Sequence, residues 1–237
     1  MRIRSASLLL LLFILCTNVF AQKNVTTVGV QFKPIFPFNF LGTGSQAYDA
    51  NGVHFNTELA SGFSAGLFIR HNFSDLVGLE GGINYVKRKY NLTITDSGFT
   101  GNSIFRIVGY EIPVSAVIYA RIGEKIYANG SLGPSLDMFA SDIITFDSYF
   151  RNNAVRRTTF QPAVNANLGF EYRTEKSGAF YIGLSYHRPF SYIFAQATEY
   201  KRAGKQETVY NSLVGNYLTI DLRYFFHEDP NNKKKKS

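Results

Sequence analysis

The sequence predicts an all-β protein, a single antiparallel up-and-down transmembrane β-barrel of about eight strands with short periplasmic turns and long outer loops. Three observations predict this fold. Apolar and polar side chains alternate with a period of two in segment after segment. Short turns and long loops follow one another in strict alternation. Aromatic residues make up 16% of the chain, with 22 Phe and 15 Tyr, and membrane barrels concentrate such residues in girdles at both interfaces.

The first 21 residues are typical of a secretory signal peptide. Arg2 and Arg4 form a basic start, Leu8 to Leu15 form an apolar run, and Ala21 ends a small-residue cleavage site. The apolar run is too short to cross a bilayer as a helix. Residues 1–21 are therefore predicted to be removed on export.

The mature chain is predicted to be one barrel, residues 22–226, followed by a lysine-rich periplasmic tail, residues 227–237. Cys16, the single cysteine, leaves with the signal, so the mature chain has no disulfide and no cysteine metal site. The formal charge is +8, and removing the two signal arginines and Lys233 to Lys236 leaves about +2 for the body. That balance does not favour a nucleic-acid binder.

The first three predicted strands are Asn24–Phe36, Glu58–Phe73 and Val77 to about Leu92. Each places aliphatic and aromatic side chains on one parity and Gly, Ser, Gln or charged side chains on the other. In the third strand the alternation slips near Lys87 to Tyr90. The slip indicates either a β-bulge or the point at which the strand leaves the membrane.

The other strands continue the pattern. A long hairpin covers Ser103 to Met138 and turns at Gly123 to Lys125, with apolar even positions and polar odd positions in its first half. The strands Thr159–Arg173 and Phe180–His187 follow. The last strand, Asn216–Phe226, alternates most regularly and ends in an aromatic cluster.

The connections differ in length in a regular way. The short turns lie near residues 72–76, 123–125 and 174–178, and the predicted long loops are Pro37–Thr57, Thr93–Asn102, Phe139–Thr158 and Pro189–Gly215. This asymmetry is typical of barrels in the outer membrane of Gram-negative bacteria, and it places both termini in the periplasm. A soluble, lipocalin-like periplasmic barrel with the opposite sidedness is the alternative.

The polar parity carries charges of both signs. A barrel of about eight strands has a lumen that side chains fill, and unpaired buried charge is costly. We therefore predict a paired charge plug inside the barrel, with a proton or ion path as the alternative. Its predicted members are Lys33, Arg70, Glu80, Arg88, Glu111, Arg121, Asp137, Glu171, Arg173, Asp221 and Arg223.

His187 is the strongest catalytic candidate among the histidines. It shares the inward parity with Ser185, which would suit a serine hydrolase that modifies lipid A. No third orienting group is apparent in the sequence, and a polar plug residue is the simpler interpretation. The sequence thus predicts a protein that is not an enzyme, without catalytic, cofactor or metal residues, and leaves the lipid A hydrolase as the alternative.

Basic residues recur in the third and fourth loops. Guanidinium and ammonium groups there could engage lipopolysaccharide phosphates, or they could simply be solvated. The residues are Arg151, Arg156, Arg157, Lys201, Arg202 and Lys205. The lysines of the tail have the same two interpretations, with anionic periplasmic partners or inner-leaflet headgroups as the ligand.

Three segments resemble the PorT-like outer-membrane β-barrel family. They are Tyr110-Glu111-Ile112-Pro113-Val114, the glycine-rich run from Ala128 to Pro134, and Leu168-Gly169-Phe170-Glu171-Tyr172. The resemblance covers essentially the mature chain. It implies the fold and the outer-membrane location, a structural or interaction role accessory to protein secretion, and partners among envelope or secretion proteins. It carries over no catalytic residue.

Overall fold

A computed structural model describes residues 25–38, 42 and 45–227, and the regular structure in this part of the chain is antiparallel β-strand. The predicted signal peptide and Lys233 to Lys236 lie outside the described residues. None of the described residues forms a helix long and apolar enough to cross a membrane. The strands are β1 (Val25–Phe36), β2 (Gln46–Ala50), β3 (Val53–Asn72), β4 (Val77–Asp96), β5 (Phe99–Arg121), β6 (Ile126–Phe139), β7 (Ile143–Asp147), β8 (Phe150–Arg156), β9 (Phe160–Arg173), β10 (Ala179–Pro189), β11 (Phe194–Arg202), β12 (Lys205–Leu213) and β13 (Tyr217–Phe225).

Eight of these strands form a closed ring. The order is β1-β13-β10-β9-β6-β5-β4-β3, and β1 pairs with β3 to complete it. Ring neighbours follow one another along the chain except where the first and last strands meet, as Gly29 opposite Phe225. The predicted up-and-down barrel is therefore confirmed. Both described chain ends and the short turns lie at one end, which we call the turn end.

The outside of the ring carries a continuous apolar belt. Aliphatic side chains there remain exposed, including Leu67, Leu132, Leu168, Ile182 and Leu222 on five different strands. Such a circuit of exposed apolar surface is unfavourable in water and calls for an apolar environment. The soluble barrel alternative would require the opposite sidedness.

Aromatic rings border the belt on both sides. Away from the turn end, Phe32, Phe63, Tyr85 and Tyr110 form a chain of ring contacts across β1, β3, β4 and β5, with centroids 5.9 to 6.0 Å apart. At the turn end, the ring centroid of Tyr224 lies 5.0 Å from that of Phe180 and 5.3 Å from that of Phe226. Girdles of this kind mark the two interfaces of membrane barrels.

The predicted long loops are largely strands. Thr93 to Asn102 belongs to the extension of β4 and β5, which meet in a turn at Ser97 and Gly98. The segment Pro37 to Thr57 contains β2, which pairs with the start of β3. The connections 139–158 and 189–215 supply β7, β8, β11 and β12, which form a separate sheet in the order β12-β11-β8-β7. We call this sheet the cap.

The cap packs across the end of the barrel opposite the turns. Gln46 of β2 donates to the carbonyl of Ser212 on β12 at 3.0 Å. Tyr200 of β11 packs edge-on against Phe55 of β3. An apolar core fills the space between the cap and the extended ring strands. It includes Val53, Leu59, Leu92, Ile94, Phe105, Ile107, Phe139, Phe150, Ala154, Phe194 and Leu213.

The slip of alternation near Lys87 marks a change of surroundings within a regular strand. Even positions of β4 face inward along its whole length, from Glu80 to Asp96. Beyond Arg88 the inward side chains become apolar, because they face the cap core, while the outward side chains become polar. The register shift lies on the neighbouring strand β3, between Leu59 and Ser61.

Candidate functional site

The lumen holds two groups of polar side chains, and it is the most elaborate site in the described part of the chain. The turn-side network consists of Lys33, Arg70, Glu80, Glu171, Arg173, Asp221 and Arg223. The cap-side cluster consists of Arg88, Glu111, Asp137, Asn165, His187 and Tyr217. Alternation places these side chains inside because each occupies the inward parity of its strand.

Glu80 joins two arginines at the centre of the turn-side network. Arg70 donates from Nε and Nη2 to Glu80 Oε2 at 3.1 and 2.9 Å. Arg223 donates from Nη1 to Glu80 Oε1 at 2.5 Å. Arg70 also binds Glu171, at 2.5 Å, and its guanidinium lies 3.5 Å from the centre of the Phe225 ring. One buried arginine thus connects β3 to β4 and to β9 on the far side of the lumen.

Asp221 is the second anchor of this network. It accepts hydrogen bonds from Arg223 at 2.8 Å and from the hydroxyl of Ser185 at 2.6 Å, and Lys33 lies 3.2 Å away. Charge-assisted bonds of this kind are the stronger ones in proteins. Arg173, which is half-buried, donates to Glu171 at 2.6 Å.

The cap-side cluster is built around two carboxylates that face each other across β5 and β6. Glu111 lies directly opposite Asp137 in the strand pairing. Glu111 accepts from Arg88 at 2.9 Å and from the hydroxyl of Tyr217 at 2.6 Å. Asp137 has His187 Nε2 at 2.8 Å. Separate partners therefore keep two like charges together, an arrangement that is otherwise destabilising.

Cations and anions balance in the lumen. The charged side chains placed there are Lys33, Arg70, Arg88, Arg173 and Arg223 against Glu80, Glu111, Asp137, Glu171 and Asp221. Arg121 does not belong with them, contrary to the prediction. It is exposed at the end of β5, where it donates to the carbonyls of Gly123 and Glu124. The inward parity no longer buries a side chain once the strand reaches the turn.

The arrangement of His187 differs from that of a serine hydrolase. Ser185 donates to Asp221, and the two nitrogens of His187 face Asp137 and Asn165. The imidazole stacks on Tyr217 with ring centroids 4.7 Å apart. Serine and histidine thus bind different partners in different layers of the lumen, whereas a nucleophile and its base need a direct hydrogen bond.

The same histidine belongs to a set of side chains that could hold a metal ion. Ligand atoms of Glu111, Asp137 and His187 lie within 4.8 Å of one another, and all three residues are buried. These are ligand types that Zn²⁺ accepts. The Arg88 guanidinium already lies against Glu111, 2.9 Å away, and its charge opposes the binding of a cation there.

Neutral polar side chains complete the packing of the lumen, and the sequence prediction did not include them. Gln31 donates to Asn84 at 2.5 Å. Tyr181 donates to Asn167 at 2.6 Å, and Asn167 donates to Asp221 at 3.0 Å. Their inward parity was visible in the sequence, although the prediction took account of charged side chains alone.

The space left between the two groups is small, whereas a space of about 330 Å³, lined among others by Arg70, Glu171 and Arg173, lies at the turn end. A cavity of about 30 Å³ lies between the two groups, lined among others by Gln31, Asn165, Ser185 and His187. A cavity needs about 10 to 15 Å³ of such volume to hold a water molecule, so this one has room for water. Beyond it the apolar core closes the barrel toward the cap. This conformation has a filled lumen.

The basic residues that the sequence assigned to loops lie on the cap and its edges. Arg156 binds Asp142 and the carbonyl of Phe139, and Lys205 binds Asp96. The remaining four differ in their surroundings. The guanidinium of Arg157 lies over Tyr192, that of Arg202 lies over Phe99, and Arg151 and Lys201 are exposed on β8 and β11.

A comparison with known proteins found a solved structure of similar fold, although it found no relative by sequence. No family model matches the sequence, and no curated protein matches it. The outer membrane protein OprG from Pseudomonas aeruginosa is similar in structure, with a TM-score of 0.55 and 15% sequence identity over 89% of this chain and 100% of that one. An outer membrane channel from Pseudomonas putida F1 covers 89% of this chain and 98% of its own at 13% identity, with a TM-score of 0.26. The first match shows that the chain has the fold of an outer-membrane β-barrel protein.

Proposed function

We propose that this protein is an outer-membrane β-barrel with a filled lumen, which serves as a structural or interaction component of the cell envelope and is accessory to protein secretion. The observation that carries the proposal is the closed interior. Paired charges fill the lumen, and the cap core lies above them. In the described residues the cap core and the charge network block the lumen between the cap and the turn end, so we expect such a barrel to act through its surfaces.

The proposed location is the outer membrane of a Gram-negative bacterium, with both termini in the periplasm. The belt between two aromatic girdles supports a membrane-spanning barrel, and the fold is shared with an outer membrane protein. The turn end then faces the periplasm and the cap faces outward, as in barrels with short periplasmic turns. Lipid and lipopolysaccharide are the proposed neighbours of the belt.

The accessory role in secretion rests on the resemblance to the PorT-like family. The cap offers surface for such a role, since β7 is an edge strand of its sheet and presents Phe146 to solvent with 76% of its surface exposed. Deleting the gene should change the set of proteins found in the culture medium, and the intact gene should restore it. An unchanged set of secreted proteins would remove the accessory role while leaving the barrel.

The first experiment tests location and closure together. Membrane fractions should contain the protein in the outer membrane, and its gel mobility should shift on boiling, as compact barrels do. The purified protein in planar bilayers should give no steady conductance steps. Regular steps from the folded, heat-modifiable protein would contradict the filled lumen, and a soluble periplasmic protein without a shift would contradict the membrane barrel.

We further propose that the protein is not an enzyme. Ser185 and His187 have different hydrogen-bond partners, which supports this view. Replacing His187 by alanine should leave the lipid A acylation pattern unchanged in mass spectrometry of whole-cell lipid A. A changed pattern that depends on His187 would favour the lipid A hydrolase instead.

A further inference from the structure

Three cations share one outward surface of the barrel just beyond the aromatic girdle. Lys87 and Lys89 lie on the outward parity of β4, and Arg106 lies on the outward parity of β5. Lys89 and Arg106 are directly opposite each other in the strand pairing. Side chains in such a pair have Cβ atoms about 5 Å apart, and Lys87 follows about 7 Å along the strand. We call these three residues the basic triad.

The triad has no partner among the described residues. No ion pair or hydrogen bond joins Lys87, Lys89 or Arg106 to a described side chain. Glu58 is the neighbouring carboxylate on the same surface, and it lies opposite Asn91, one step further from the girdle than Lys89. Three cations and one carboxylate leave this surface near the belt with a net positive charge among the described residues.

The position of the triad relative to the belt suggests what neutralises it. Phe63 lies opposite Lys87 on β3, and Tyr85 precedes Lys87 by two residues on the same face of β4. The cations thus begin where the girdle ends. Given the membrane placement proposed above, this level of the outer leaflet is that of the lipid headgroups, where Lys and Arg side chains meet phosphates.

We propose that the basic triad binds the phosphate groups of lipid A in lipopolysaccharide. The arginine presents a planar fork that fits phosphate oxygens, and the two lysines, both on the neighbouring strand β4, add charge beside it. Among the cap cations, Arg156 and Lys205 are less suited, because they are already bound to Asp142 and Asp96. This site rests on the proposed membrane location and adds a specific lipid ligand to it.

The test compares two variants with the same change of charge. In one, Lys87, Lys89 and Arg106 are all replaced by glutamine. In the control, the exposed cap residues Arg151 and Lys201, together with Arg202, are replaced by glutamine. Each protein is purified from outer membranes, and its binding to phosphatidylcholine vesicles with and without lipid A is measured at fixed salt, together with the lipopolysaccharide that co-purifies.

A basic side chain at an anionic lipid surface contributes about a factor of five in binding, so the triad variant should bind lipid A vesicles about a hundredfold more weakly. The control should bind like the wild type, and removal of the lipid A phosphates should abolish the difference. Equal binding by the triad variant, loss only in the control, or equal binding of dephosphorylated lipid A would each overturn the proposal. Fractionation and the heat shift remain normal in these cases if the proposed barrel is right, so the two failures can be told apart.

Discussion

Replacing Arg70 by methionine removes the cation that joins β3, β4 and β9 inside the lumen. Methionine fills a similar volume without charge. The change deletes two hydrogen bonds to Glu80 and one to Glu171, both of which are buried carboxylates. Because the partners stay behind in the lumen, the loss includes the cost of leaving their charge less well compensated.

The expected loss of unfolding free energy depends on the ion pairs that Glu80 and Glu171 keep in the variant. Removing one partner of a buried ion pair costs about 3 to 5 kcal/mol. Glu80 keeps Arg223, and Glu171 keeps Arg173. We therefore expect the lower end of that range, about 3 kcal/mol of unfolding free energy. Adding Glu80→Gln should cost less than the sum of the two single changes, because it removes one of the under-compensated charges.

The free energy of unfolding is measured by gel mobility, because the chain has no tryptophan whose fluorescence could report unfolding. The proteins are equilibrated with urea in phosphatidylcholine vesicles, and the folded fraction is taken from the heat-modifiable band. Arg121→Met is the matched control, since Arg121 is exposed and binds only turn carbonyls. It should stay within about 0.5 kcal/mol of the wild type. An Arg70 variant as stable as the Arg121 variant would refute the buried network as a source of stability.

Two further predictions concern strand packing and the cap. Gly133→Ala should prevent formation of the heat-modifiable barrel, because a Cβ there would overlap the backbone of Val114 on β5. Gly81→Ala is the control, because a Cβ added at Gly81 has its nearest neighbouring atom 3.5 Å away. Equal folding of both variants would contradict the packing argument. The hydrogen bond from Lys205 lowers the pKa of Asp96 to about 2, so this contact should stabilise the cap above pH about 4 and be lost as the pH falls toward 2. Pepsin cleavage within β11 and β12 should rise over that interval in the wild type and should already be high at pH 4 in Asp96→Asn; the same pH profile in both proteins would show that the contact does not hold the cap.

The barrel itself could be predicted because its signal is local. Successive side chains of each ring strand point in turn to the apolar belt and to the lumen. Sequence parity alone therefore assigned Arg70, Glu80 and Asp221 to the interior. The alternation of short turns with long connections then placed the termini at one end. The ring of eight strands confirms the barrel, and the burial of Arg70, Glu80 and Asp221 confirms their inward position. The limit of the parity rule is shown by Arg121, where the strand ends and the side chain turns to solvent.

The cap was missed for a reason that also lies in the pattern. Outside the belt a strand packs its apolar side chains inward and exposes its polar ones, so the sidedness is opposite to that of the ring. In β4 this reversal occurs within one strand, between Arg88 and Tyr90, and the sequence pattern alone did not distinguish it from a bulge. The segments that form β7, β8, β11 and β12 are short, and all but β7 are rich in polar residues, so their pairing becomes visible only in the folded chain.

The sequence by itself determined the fold class and, apart from Arg121, the inward charges, because these depend on side-chain alternation. Only the tertiary structure decided that Arg70 binds Glu171, which lies 101 residues away along the chain. It also decided that His187 binds Asp137 while Ser185 binds Asp221. It decided as well that Lys89 and Arg106 lie opposite each other on neighbouring strands. These contacts depend on the register between strands and on the closure of the ring. Both arise when distant segments pair, and no local pattern specifies them.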